Sequence, residues 1–112
     1  MEQTGKSTLE DLIILTRDWY PIDNEHYPQA DLTTADKVLE FTAAHTLKHI
    51  VKSAGVIAAE TESADHGGIM DQEKLRVATA KLILNAIRLA DELNMDATYL
   101  FRQIGGALTT NG

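Results

Sequence analysis

Cysteine is absent from the chain. That excludes a disulfide framework and a thiolate metal site, and it fits a reducing compartment. Proline is scarce, at two residues, so long uninterrupted elements are expected. No segment approaches the run of about 20 apolar residues that a membrane helix needs, and no membrane partner is expected. The first twelve residues, MEQTGKSTLEDL, lack the basic and then apolar pattern of a secretory signal. The expected location is therefore cytoplasmic. Positive charge is also short, with 10 Lys and Arg against 17 Asp and Glu, a net charge of −7. A phosphate backbone needs a basic footprint, so no nucleic-acid partner is expected. What remains is a chain of 112 residues, 44% of them hydrophobic. That is one folded domain with a modest core.

The apolar spacing is helical throughout, which predicts an all-α fold. Ser7 and Glu10 have capping-box spacing and open a first helix over 7–20. Leu9, Leu12, Ile13, Thr16 and Trp19 form its stripe, and Pro21 stops it. Residues 21–32 (PIDNEHYPQADL) read as an ordered connector. A second helix is expected over 33–64, with apolar or small positions 41, 44, 47, 51, 54 and 58 recurring at three-four spacing. Gly55 either breaks this helix or marks a close helix contact. Gly67 and Gly68 supply the turn. Asp71 caps a third helix over 71–93, striped by Leu75, Leu82, Ala86, Leu89 and Leu93. Asn94 suits a left-handed cap. Asp96 opens a short fourth helix over 97–104, which Gly105 and Gly106 are expected to stop.

These elements make a helical hairpin with short flanking helices. A second helix of some 30 residues would span about 45 Å, longer than a compact domain of this size. Two hairpins joined in a four-helix-bundle-type oligomer would cover the overhanging stripes. A homodimer or homotetramer is expected.

Few motifs carry chemistry. Gly5-Lys6-Ser7 has the ending of a phosphate-binding loop, but only four residues precede it, too few for the earlier glycine and strand such a loop needs. His45, Lys48, His49 and Lys52 share one helical face, at i, i+3, i+4 and i+7. His45 and His49 have zinc-ligand spacing, yet a third ligand is missing nearby and the lysines would oppose a cation. Ser53 follows His49 by four residues without a third catalytic group. Glu62, Asp65 and Asp71 could hold a divalent cation, or simply form a solvated acidic tip.

Two segments resemble the MazG-type nucleoside triphosphate pyrophosphohydrolases, an all-α family. Residues 51–60 (VKSAGVIAAE) are similar to that family's V-E-E-A-G-E-L-A helix at Val51, Ala54, Gly55, Ile57 and Ala58. Residues 82–96 (LILNAIRLADELNMD) resemble its later helix and turn, D-x-L-x-Y-L-x-R-L-A-D-x-L-G-I-D, at Arg88, Leu89, Ala90, Asp91, Leu93 and Asp96. The resemblance implies a MazG-like fold and, for an enzyme, nucleotide pyrophosphohydrolysis. The family holds magnesium with E-E-x-x-E and a later E-x-x-D. Here those positions are Lys52, Ser53, Val56, Ala78 and Lys81. None is acidic, so no metal or catalytic residue carries over.

The expected site is instead an anion groove between the second and third helices. His45, Lys48, His49 and Lys52 would line one side. Lys81 and Arg88, part of a stripe with Lys74 at intervals of seven, would line the other. A nucleotide, phosphate or protein partner would bind there without a metal cofactor, unless the two stripes point away from each other, toward solvent or a partner's acids. Two alternatives stay open. One is a pyrophosphohydrolase using magnesium at Glu62, Asp65 and Asp71. The other is a purely structural or assembly subunit.

Overall fold

The computed structural model describes residues 8–110, and the side chains of residues 8–106. Among them every regular element is an α-helix: α1 (Leu9–Trp19), α2 (Ala35–Asp65), α3 (Gln72–Glu92) and α4 (Ala97–Thr110). α2 and α3 form the antiparallel hairpin, and α1 packs against α3 and α4.

The ends of these helices are chemically determined. Thr8 caps α1, its hydroxyl accepting from the Asp11 N–H at 3.0 Å while Asp11 Oδ2 accepts from the Thr8 N–H at 3.2 Å. The capping box therefore uses Thr8 and Asp11, one residue on from the Ser7 and Glu10 expected; Ser7 lies outside the described residues. Thr34 caps α2, and Asp71 caps α3 by accepting from the Glu73 and Lys74 N–H groups. Gly67, at φ 89°, gives α2 a left-handed exit. The Gly68 N–H then bonds the Ser63 carbonyl at 2.8 Å and the Gly67 N–H bonds Ala64 at 3.1 Å. A Cβ on Gly68 would stand 2.5 Å from Ser63 Oγ and 2.8 Å from its carbonyl oxygen. α3 ends by the same geometry, with Asn94 at φ 58° as its left-handed residue. Asp96 Oδ1 accepts from the Tyr99 N–H at 2.8 Å and opens α4.

Two helix expectations fail. α4 runs through Gly105 and Gly106 to Thr110. A glycine pair lowers helix propensity but removes no backbone hydrogen bond, unlike proline. α2 runs unbroken through Gly55, as one helix over 33–64 requires, but the close contact expected there is absent, since an added Cβ would meet nothing within 4 Å. Among the described residues no close helix contact explains that glycine.

The seam between α2 and α3 also differs from expectation. α2 buries Thr42, Thr46 and Ser53, the first two with no exposed surface. α3 buries Ala78, Asn85, Ile87, Arg88 and Ala90. Thr46 satisfies its hydroxyl by donating to the Thr42 carbonyl at 2.7 Å. The apolar stripe expected to pack α2 lies mostly on the outside: Leu47 is 57% and Val51 60% exposed, with Ala44, Ala54 and Ala58 also exposed. On α3, Leu75, Leu82 and Leu89 are half-buried, whereas Ala86 and Leu93 are exposed. On α1 only Ile13 and Thr16 of the expected stripe are buried. The hairpin is long for the chain. α2 spans about 46 Å at 1.5 Å per residue, the molecule measures 50 × 38 × 36 Å, and its radius of gyration is 16.6 Å. A compact chain of this length would have a radius near 13 Å.

Gly55 supplies a direct test of helix continuity. Gly55→Ala should stabilise the protein by about 0.5–1 kcal/mol, because it lowers unfolded-chain entropy at an open helical site. Gly68→Ala should destabilise it, since its Cβ collides with Ser63. Urea denaturation of both variants checks the opposite signs.

Candidate functional site: a cationic groove between α2 and α3

A cavity of about 810 Å³ runs along the α2–α3 hairpin, within the range of small-ligand sites, roughly 300–1,000 Å³. His45, His49 and Lys52 line it from α2, and Lys81 and Arg88 from α3. The structure therefore brings together five of the six residues expected to form one groove. Lys48 does not line it. Lys74 does, at the far end. The positions that the resemblance equates with metal ligands, Lys52, Ser53, Val56, Ala78 and Lys81, all line this same groove.

Arg88 is the centre of the site. It is only 9% exposed, although its guanidinium stays charged under all ordinary conditions. Its Nη1 donates to Asn85 Oδ1 at 3.2 Å and its Nη2 donates to the Tyr27 hydroxyl at 2.9 Å. Both partners are neutral. Its Nε is buried without an acceptor. Among the described residues no carboxylate lies within ion-pair distance of Arg88, Lys52 or Lys81. A buried charge without a counterion is costly, so this locus favours an anion.

The connector delivers Tyr27. Asn24 Nδ2 donates to the Tyr27 and Ala30 carbonyls, and the His26 N–H donates to Asp23 Oδ1, so residues 23–30 fold back on themselves. The Tyr27 ring then packs against Phe41 and His45, with centroids 5.0 and 4.8 Å away. His45 stacks on Phe41 at 5.3 Å and meets His49 edge-on at 4.6 Å. Burial pushes the His45 pKa down, and the nearby His49, Arg88 and Lys48 push it the same way. Its neutral form is thereby favoured, and it stands as an aromatic wall beside Arg88.

The opposite end of the groove is acidic but committed. Glu60 Oε1 accepts from the Asp71 N–H at 2.8 Å, and its Oε2 lies 3.8 Å from Lys74 Nζ. Glu60 thereby ties the start of α3 to the end of α2. Asp71 is occupied as the α3 cap. Among the described residues no three His, Asp or Glu side chains are gathered closely enough to hold a metal ion, so Glu62, Asp65 and Asp71 are not brought together. His45 and His49 are adjacent but have no third ligand. Gly5-Lys6-Ser7 lies outside the described residues.

Comparison with protein-family models, with curated proteins and with solved structures returns no match. The site must be understood from its own chemistry. Tyr27, Asn85 and Tyr20, which also lines the groove, were not expected there. Asn85 has a sequence signal, since it stands one helical turn before Arg88. Tyr27 has none beyond the order of its connector.

His45 and His26 should titrate in opposite directions. His26, hydrogen-bonded to Asp23, is raised above the usual 6.5, and His45 is lowered below it. For a histidine with a lowered folded pKa, the unfolded chain takes up its proton first as pH falls. Stability should therefore decline as pH drops below about 6.5 and level off below the folded pKa. NMR titration of the ring protons checks both directions, and His45→Gln should flatten its share of the decline.

Proposed function

We propose that this chain is a MazG-like helical protein whose groove binds an anionic, phosphate-bearing ligand without magnesium. The observation that carries this is Arg88, a buried guanidinium with neutral partners only and an unsatisfied Nε, opening on a groove shared with Lys52 and Lys81. The family frame is supported by the convergence of Lys52, Ser53, Val56, Ala78 and Lys81 in one groove. Such convergence is what a frame in register would give. Magnesium needs hard oxygen ligands, and this set offers two ammonium groups instead. The protein binds its ligand and does not turn over nucleoside triphosphates.

Thermal unfolding at fixed ionic strength tests the anion site. Phosphate or nucleotides should raise the melting temperature of the wild type. They should not raise that of a Lys52→Ala, Lys81→Ala double variant. Arg88→Met should abolish the response at some cost in stability, because it removes the buried charge but leaves Asn85 Oδ1 and the Tyr27 hydroxyl without their partner. Chelator-sensitive release of pyrophosphate, tracking the protein through purification, would refute the absence of turnover.

The protein also assembles with itself, as a homodimer or homotetramer. The exposed α2 stripe supports this, since Ala44, Leu47, Val51, Ala54 and Ala58 run for about 21 Å without a charge. Light scattering should give a multiple of 12.3 kDa. Val51→Asp should yield a folded monomer, because Val51 contributes nothing to the core of one chain. A 12.3 kDa particle for the unaltered protein would disprove the assembly.

A further inference from the structure

We infer that the groove takes a single-chain amphiphile: an anionic head at Arg88, Lys52 and Lys81, with an apolar chain laid along Val56, Ala59, Val77 and Ala78. This rests on the anion reading of the head locus and adds the chemistry of the body.

The groove is chemically divided along its length. Beyond Lys52 on α2, the next lining residues are Ser53, Val56 and Ala59; beyond Lys81 on α3, running the other way, they are Ala78 and Val77. Ser53 is buried at 6% exposure. The stretch thus presents two apolar walls and almost no hydrogen-bonding group. Val56 is 37% and Val77 44% exposed, so both walls stand open to water. From Lys52 to Ala59 the helix rises about 10 Å, enough for a medium-length chain. Small side chains at Ala59 and Ala78 keep this trough open.

Direction is set by charge. Among the described residues, no ion pair involves Arg88, Lys52 or Lys81 at the head end. The far end is closed by the Glu60–Lys74 pair and the Asp71 cap, whose groups already bond one another. An anion seated there would meet carboxylates. An anionic head therefore belongs at the Lys52 and Lys81 end of the trough, on its Arg88 side, with its apolar chain pointing toward Glu60. A nucleotide with its phosphate in the same place is a poorer fit. Ribose hydroxyls and base edges laid against Val56, Val77 and Ala78 would lose water without gaining partners.

The test is calorimetric titration of the full chain, below micelle-forming concentrations. The probes are inorganic phosphate, adenosine monophosphate, and butyl, hexyl, octyl and decyl phosphate, with octanoate and decanoate as carboxylate heads. Affinity should rise from phosphate through decyl phosphate by about four- to tenfold for each pair of methylenes, the range for partial to nearly full burial. The same rise from octanoate to decanoate would show that a carboxylate head serves as well. Val77→Asn should remove the dependence on chain length and keep the affinity for inorganic phosphate, which also certifies that the variant is folded. Phosphate binding with no gain from longer chains would overturn the inference and leave the anion site standing. So would tighter binding of adenosine monophosphate than of decyl phosphate, or a chain-length gain that survives Val77→Asn. Failure of every anion to bind would overturn both.

Discussion

One buried guanidinium organises this molecule. Arg88 projects from α3 into the seam with α2, and its two hydrogen bonds reach Asn85 on its own helix and Tyr27 in the connector. Through Tyr27 it fixes the path of residues 21–34, and through the Tyr27, Phe41 and His45 rings it fixes the wall of the groove. A charge so placed must be solvated by something. Neutral acceptors meet part of that need, and the unsatisfied Nε marks what is left. The deficit lies beside the groove between α2 and α3, which Arg88 also lines.

The seam follows from the same constraint. Thr42, Thr46 and Ser53 on α2 face a helix carrying Ala78, Asn85 and Arg88. Large aliphatic residues there would separate the helices and leave the guanidinium without Asn85 and Tyr27 at their present distances. Small polar residues let the helices approach; Thr46 satisfies its hydroxyl against the Thr42 carbonyl, whereas the buried Thr42 hydroxyl has no partner among the described residues. The result is a thin core, with Ile13, Ala78, Ile87 and Ala90 its only buried hydrophobic residues among those described. A core so thin leaves the aliphatic face of α2 unused within one chain.

That division explains what could be read from the sequence. Helix positions were legible because caps and stops act locally: Thr34, Asp71, Gly67, Asn94 and Asp96 each need only their neighbours. The cationic groove was legible because i, i+4 and i+7 spacing places side chains on one face whatever that face touches. The packing face of α2 was not. Helical periodicity identifies an apolar stripe but not what covers it, and here the stripe of Leu47 and Val51 points away from α3. Tyr27 was missed for a related reason. Its role is set by Arg88, 61 residues further along the chain, and no local pattern encodes such a pairing.

Charge decides between the two chemistries that such a hairpin can support. Two unit charges about 4 Å apart interact by roughly 4 kcal/mol at the effective dielectric of a protein surface. A divalent cation in a groove lined by Lys52, Lys81 and Arg88 would meet repulsion of this kind, doubled by its own charge. No free carboxylate of this locus offsets it. A phosphate or carboxylate in the same position turns each of those terms into attraction. Bringing it in would also relieve the repulsion that the cations exert on one another. His45 adds a further response, because an anion beside it opposes the electrostatic part of what depresses its pKa. The residues that make metal binding unfavourable are therefore the ones that make anion binding favourable.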